Sequence, residues 1–385
     1  MLETPDETGV DSMHRKRILI FTVSFGSGHR SAADAIESYV KAHHRESVEV
    51  RVIDYFKAFA PAVNSIAGTL YDGSVQAAPE LYRLFFELTD RIADNSRVKD
   101  MGQTGFSAAI EFIESYRPDA VIATFPIAMN VLRSARRGRP LPSAVVVTDF
   151  GVHRQWYQPE TDLTFVAAED IRRGMIAMGM DESRVIASGI PVKESFADPI
   201  DRSLARATLG LEDRFTVLMT PSAGPTSDQR DMARTLLQAG MQIVAITGRS
   251  RRLKSRLHTL QRRHRLLHVL GFTREMHTYM CACDVLVGKA GGLTVSECLA
   301  TGLPLIANNS VPGQETYNAD FVDNHGAGLL ARDADDAALK VLFLSEHPAR
   351  LAQLSETASA LGRPDAAKIV VERILDLIES STPGK

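Results

Sequence analysis

Short apolar runs alternate with longer segments whose apolar side chains recur at helical spacing, along nearly the whole chain. Residues 17–24 (RILIFTVS) are rich in β-branched side chains and predict a strand buried on both faces. A glycine-containing turn follows, and residues 32–42 then carry apolar positions at helical spacing. Further strands are predicted at 48–54, 120–124, 144–148, 163–167 and 185–188. Alternation of this kind builds parallel βαβ units in a doubly wound sheet. The pattern pauses near Gly189-Ile190-Pro191, and residues 196–213 read as a linker with one short helix. Strands resume at 215–219, 243–247, 266–270, 285–287 and 304–307. The chain thus divides into a polar tail (1–15), one α/β domain (16–191), a second (192–375) and a closing tail (376–385). Two Rossmann-like halves facing each other leave a deep cleft between the carboxyl ends of their strands, where ligands of such sheets bind.

One segment departs from the alternation. Residues 55–104 carry Tyr71, Leu81, Tyr82, Leu84, Phe85 and Phe86 at helical spacing. They read either as a helical core insertion or as an amphipathic face that meets lipid. No run is long and apolar enough to span a bilayer, so any membrane is met from the side, at its inner, cytoplasmic face. The net charge of −3 gives no global field for nucleic acid. Residues 1–190 hold about 21 Lys and Arg against about 25 Asp and Glu, and only the local run 133–139 offers a basic patch for anionic headgroups. A second basic run, 251–265, reads as a solvated helix. Cys281, Cys283 and Cys298 are too few for a disulfide framework and have the wrong spacing for zinc, which leaves small buried residues of a reducing compartment.

The sequence Gly288-Lys289-Ala290-Gly291-Gly292-Leu293-Thr294-Val295-Ser296-Glu297 follows a strand and opens a helix. Glycines there let a ligand approach the backbone, and free amides at the positive helix end favour a diphosphate. Thr294-x-x-Glu297 also fits a capping box that needs no ligand. Beyond the next strand, Gln314 and Glu315 would sit beside the diphosphate and could hold sugar hydroxyls, and Glu297 could take both ribose hydroxyls. An ordinary Pro-Gly turn explains 311–315 equally well. Near the amino terminus, Gly26-Ser27-Gly28-His29 lies between the first strand and first helix. A histidine projecting into the cleft suits a general base, and a helix cap is the plainer reading.

These motifs in order, Lys289-Ala-Gly-Gly-Leu-Thr-Val-Ser-Glu297, Gly302-Leu-Pro304, Pro312-Gly-Gln-Glu315 and Asn318-Ala-Asp-Phe321, resemble the donor signature of one group of inverting GT-B glycosyltransferases. The group holds the monogalactosyl- and glucosyl-diacylglycerol synthases and the N-acetylglucosaminyltransferase that makes lipid II. The resemblance spans roughly residues 16–375. It implies that Gly291, Gly292 and Thr294 contact phosphate, Glu297 the ribose, Gln314 and Glu315 the sugar, and Gly271 with Phe272 the base, usually uracil. Ser222 and Gly224, in a loop with fewer glycines than relatives carry, would add donor contacts. The Gly-x-Gly-His motif marks His29 as the base, with Gly28 on the acceptor side. Asp149, in Thr148-Asp149-Phe150, would orient His29, assist the proton transfer, or cap the next turn. His153 and Trp156 would shape the acceptor entrance, Trp156 with a potential membrane-interface role, and Phe125 and Pro126 would line the acceptor groove.

The reading that follows is an α/β protein of the GT-B type. It would move glucose or galactose from UDP-hexose to the 3-hydroxyl of diacylglycerol without a metal or other cofactor. A polyprenyl-linked or other hydrophobic acceptor and a UDP-sugar epimerase are the alternatives.

Overall fold

A computed structural model describes residues 15–24, 27–61, 105–126, 141–222, 225–308 and 314–381, with the side chains of Ser27 and Gln314 excepted. The aromatic segment 71–86, the basic run 133–139 and Gly224 lie outside the described residues. The first sheet holds β1 (Lys16–Thr22), β2 (Val48–Asp54), β3 (Ala120–Ala123), β4 (Ser143–Val146), β5 (Leu163–Phe165) and β6 (Val185–Ile186), in spatial order β2-β1-β3-β4-β5-β6. Every pairing is parallel. Alternate residues of β1 face opposite layers: Leu19 and Phe21 join one core cluster, Ile18 and Ile20 another. That is why the strand reads as a continuous apolar run rather than an alternating one.

The second sheet holds β7 (Thr216–Met219), β8 (Gln242–Ile246), β9 (Leu267–Leu270), β10 (Val285–Gly288), β11 (Leu305–Asn308) and β12 (Gly328–Ala331), in order β12-β11-β10-β7-β8-β9. It too is all parallel. β12 was not anticipated from the pattern, because its four residues include a half-buried and an exposed leucine. Strand order reverses between β1 and β3 in the first sheet and between β7 and β10 in the second. Crevices at such switch points are where open α/β sheets take ligands.

Helix α1 (Ser27–His43) begins earlier than its apolar spacing predicts, so His29 stands in its first turn and not in a preceding loop. A second correction concerns the carboxyl end. A long helix, α13 (Ala366–Ser381), runs through the expected boundary at 375 and most of the expected tail. Its Val370, Val371, Ile374 and Ile378 pack on Ile18, Ile20, Ile122 and Ile36 of the first domain. An amphipathic pattern reveals an apolar face but not the sheet it covers. The three cysteines are free and buried, and helix α7 (Arg251–Gln261) buries Leu253 and Leu257 while its arginines 251 and 252 face solvent.

Ile374 is fully buried against the first sheet. Ile374→Ala should therefore destabilise the amino-terminal domain by about 3 kcal/mol. Urea unfolding followed by Trp156 emission measures this, and a change under about 0.5 kcal/mol would show that α13 is dispensable to that domain.

Candidate active site

Helix α9 (Gly292–Thr301) follows β10, and its N-cap is Gly291, which has no side chain to bond the first amides. The capping-box alternative therefore falls: Thr294 is inside the first turn, and Glu297 lies a turn further on. There is no acidic residue in the first turn of α9 or of α1, so both positive helix ends are uncompensated by their own sequence. Gly292 has a second reason to be glycine. A β-carbon there would stand 2.1 Å from the Thr148 carbonyl oxygen of the other domain. The phosphate turn and the Thr148 loop thus meet backbone to backbone.

His29 is held by two groups on neighbouring strand ends. Its Nδ1 lies 2.7 Å from the Thr124 carbonyl oxygen and 2.8 Å from Thr148 Oγ1. A carbonyl can only accept, so Nδ1 carries the proton and Nε2 keeps its lone pair. That is the tautomer a general base requires. Burial lowers the imidazole to about 4, against a smaller upward pull from the Thr124 carbonyl. His29 is therefore neutral across the physiological range. A β-carbon on Gly28 would touch nothing within 4 Å, so the chain beside His29 faces open space.

The His29 ring is held by the Thr124 carbonyl with Thr148 Oγ1 beside it. The Asp149 carboxylate accepts hydrogen bonds from the Asn318 and Trp156 side chains. Burial raises it to about 6, with a further upward push from Glu315, and the two donors oppose that shift. Trp156 is 1% exposed, which removes it from both the acceptor entrance and a membrane interface. It is a wall, its ring centroid 6.2 Å from that of His29. His153 is also buried, and its Nδ1 accepts from the Gln155 amide at 3.1 Å, capping a short turn. Phe125 points into the core against Tyr55 and Phe56, as an apolar residue continuing a buried strand should. Only Pro126 of that pair is half-exposed.

On the donor side, Lys289 Nζ lies 2.7 Å from Glu315 Oε1, tying the phosphate turn to helix α10 (Gln314–Asn324). Glu297 is half-buried, and desolvation raises it to about 7 although Lys193 pulls the other way. Phe272, just past β9, is 71% exposed, and Gly271 beside it is half-buried. Ser222 Oγ is buried without a hydrogen-bond partner among the described residues. Thr124, Thr148 and Asn318 were the site residues missed in the sequence as such. Thr148 and Asn318 belong to motifs noted above and Thr124 ends a predicted strand, but the partner of each is distant along the chain. An Asp-x-Asp tripeptide does occur, Asp333-Ala334-Asp335, yet it opens helix α11 (Ala334–Glu346) with Asp333 as the cap.

The comparisons agree with this layout. Residues 29–192 match the family model for monogalactosyldiacylglycerol synthase, and residues 226–369 match that for the glycosyltransferase family 28 C-terminal domain. A processive diacylglycerol beta-glucosyltransferase of Bacillus cytotoxicus is 28% identical over 94% of this chain and 93% of its own. In fold, the chain resembles Acinetobacter baumannii MurG (TM-score 0.63, 14% identity, 94% of this chain and 99% of that one). It also resembles UDP-GlcNAc 2-epimerase from Neisseria meningitidis, bound to UDP-GlcNAc (TM-score 0.60, 13% identity, 94% and 100%). Two parallel six-stranded sheets with a site at their facing switch points are the GT-B fold, and the family match and the named relative make the chain a glycosyltransferase. The chain carries a monogalactosyldiacylglycerol synthase domain followed by a glycosyltransferase family 28 C-terminal domain, and it is homologous to processive diacylglycerol glucosyltransferases.

The His29 shift has a stability consequence with a definite sign. Between about pH 6.5 and 4 the unfolded chain binds a proton that folded His29 refuses, so stability falls as pH drops through that window. The full effect is up to roughly 3 kcal/mol. Chemical denaturation of wild type and His29→Gln at pH 7 and pH 4.5 isolates it, because Asp149 and Glu297 titrate in both. Equal acid sensitivity of the two proteins would contradict the assignment.

Proposed function

We propose that the protein transfers a hexose from UDP-glucose or UDP-galactose to the 3-hydroxyl of diacylglycerol with inversion. The observation that carries this reading is the His29 tautomer, which leaves Nε2 as base, in a cleft also faced by an uncapped helix end suited to diphosphate. In this account Nε2 takes the proton of the acceptor hydroxyl as its oxygen attacks the anomeric carbon. The bond to the diphosphate breaks, and the departing charge is met by the α9 amides and Lys289. An arriving diphosphate raises the low pKa of His29 through its negative charge, so the base strengthens when the donor is in place. Glu297 would hold the ribose, Glu315 and Gln314 the sugar, and Phe272 with Gly271 the base. Ser222, whose hydroxyl has no partner among the described residues, and Thr294 would add phosphate contacts.

The lipid acceptor rests on the named relative and on the amino-terminal family match. Among the described residues no helix is long and apolar enough to cross a membrane. The acceptor would thus be met from the side, at the cytoplasmic face of the bilayer, with anionic lipid as a partner. The diphosphate would be neutralised by helix ends and Lys289, without a metal ion.

The test is incubation of the purified protein with labelled UDP-glucose or UDP-galactose and diacylglycerol vesicles. Lipid-soluble label is expected and should persist in EDTA. Label on a polyprenyl acceptor alone, or release of an epimerised nucleotide-sugar, would replace the reading. His29→Ala should lower turnover about 10²- to 10⁴-fold, with UDP affinity changed less than about threefold; normal turnover would remove His29 from the mechanism. Glu297→Gln should raise the donor KM, about tenfold for a lost hydrogen bond to a charged group, and an unchanged KM would remove the ribose assignment.

A further inference from the structure

Asn318 is fully buried and stands one turn after Glu315 on α10. Its Nδ2 donates to the Ala290 carbonyl at 3.0 Å, and its Oδ1 accepts from the Phe150 amide of the other domain at 2.7 Å. The same side chain hydrogen-bonds the Asp149 carboxylate. Its hydrogen-bonding capacity is therefore divided between the turn that precedes α9 and the loop that carries Asp149. The surroundings reinforce the link. Phe150 and Phe321 rings lie 4.6 Å apart, and a β-carbon on Gly151 would meet Tyr317 at 2.7 Å.

We propose that Asn318 is a positioning residue that transmits the state of the donor turn to Asp149 on the opposite domain. The inference rests on the donor reading above. A diphosphate drawn onto the amides of Gly291 and Gly292 moves the Ala290 carbonyl next to them. Asn318 cannot follow that carbonyl without dragging its other two contacts, because the side chain is fully buried and its bond from the Phe150 amide is 2.7 Å long. The Asp149 carboxylate, and with it the indole of Trp156, must then shift in step. The donor-loaded turn thereby sets the carboxylate beside the acceptor's approach, and the two halves of the site are completed together.

Trp156 is the one tryptophan in the chain, so its emission reports on this linkage without added label. Wild-type protein should change its Trp156 emission on binding UDP, with a midpoint matching the calorimetric Kd. In Asn318→Ala and in the isosteric Asn318→Asp, UDP should still bind within about threefold of wild type, but the emission change should vanish. Turnover should fall roughly 10- to 100-fold, the size expected for a lost hydrogen bond to a charged group, with donor KM nearly unchanged. Asn318→Asp keeps the Phe150 contact and serves if the alanine variant does not fold. A UDP-induced emission change retained in either variant would overturn the proposal. So would a loss of UDP affinity equal to the loss of turnover, which would make Asn318 a donor ligand. A wild type that binds UDP with no change in Trp156 emission would sink the linkage alone, whereas a wild type that binds no UDP would remove the donor reading and this inference with it.

Discussion

The site depends on one close backbone contact, the Thr148 carbonyl resting on Gly292. No other residue type leaves room for it, and everything on either side is registered by it. Thr148 also reaches His29 through its hydroxyl, and the next residue is Asp149. On the far side, Gly292 begins the helix whose free amides face the cleft. Apolar packing secures the contact, since Ala32, Phe150 and Ile190 of the first domain share a core with Ala290, Val295 and Phe321 of the second. Helix α13 adds a mechanical tie by returning to the first sheet from the end of the second.

The electrostatics follow from burial in that interface. His29 is driven down to about 4, Asp149 up to about 6 and Glu297 up to about 7, each chiefly by loss of water. All three shifts favour the neutral form. A cleft that suppresses its own charges while presenting helix ends and Lys289 is matched to an anionic ligand that supplies the charge itself. Each shift is opposed in part: two hydrogen-bond donors pull Asp149 back toward the ionised state, Lys193 does the same for Glu297, and the Thr124 carbonyl pulls His29 upward.

Much of this was legible in the chain. Strands buried on both faces announce themselves as unbroken apolar runs, and Lys289 to Glu297 is a local motif whose glycines have a local reason. His29 was legible as a residue but not as a tautomer, because the Thr124 carbonyl that fixes it is 95 positions away. Asn318 lay within a recognised motif, yet its meaning comes from Phe150, 168 positions away. Trp156 and Phe125 misled for the opposite reason. Aromatic residues near a cleft suggest ligand contact, whereas these two extend buried strands and turns and fill the core.

The central claim is that a base on one domain faces a donor cradle on the other, so that the acceptor attacks opposite the departing diphosphate. The anomeric configuration of the product tests it most directly. Proton NMR of the glycolipid formed from an α-linked UDP-hexose should show a β-linkage, the result of a single inversion. An α-linked product would mean retention, and would contradict the placement of His29 as the base of a direct displacement.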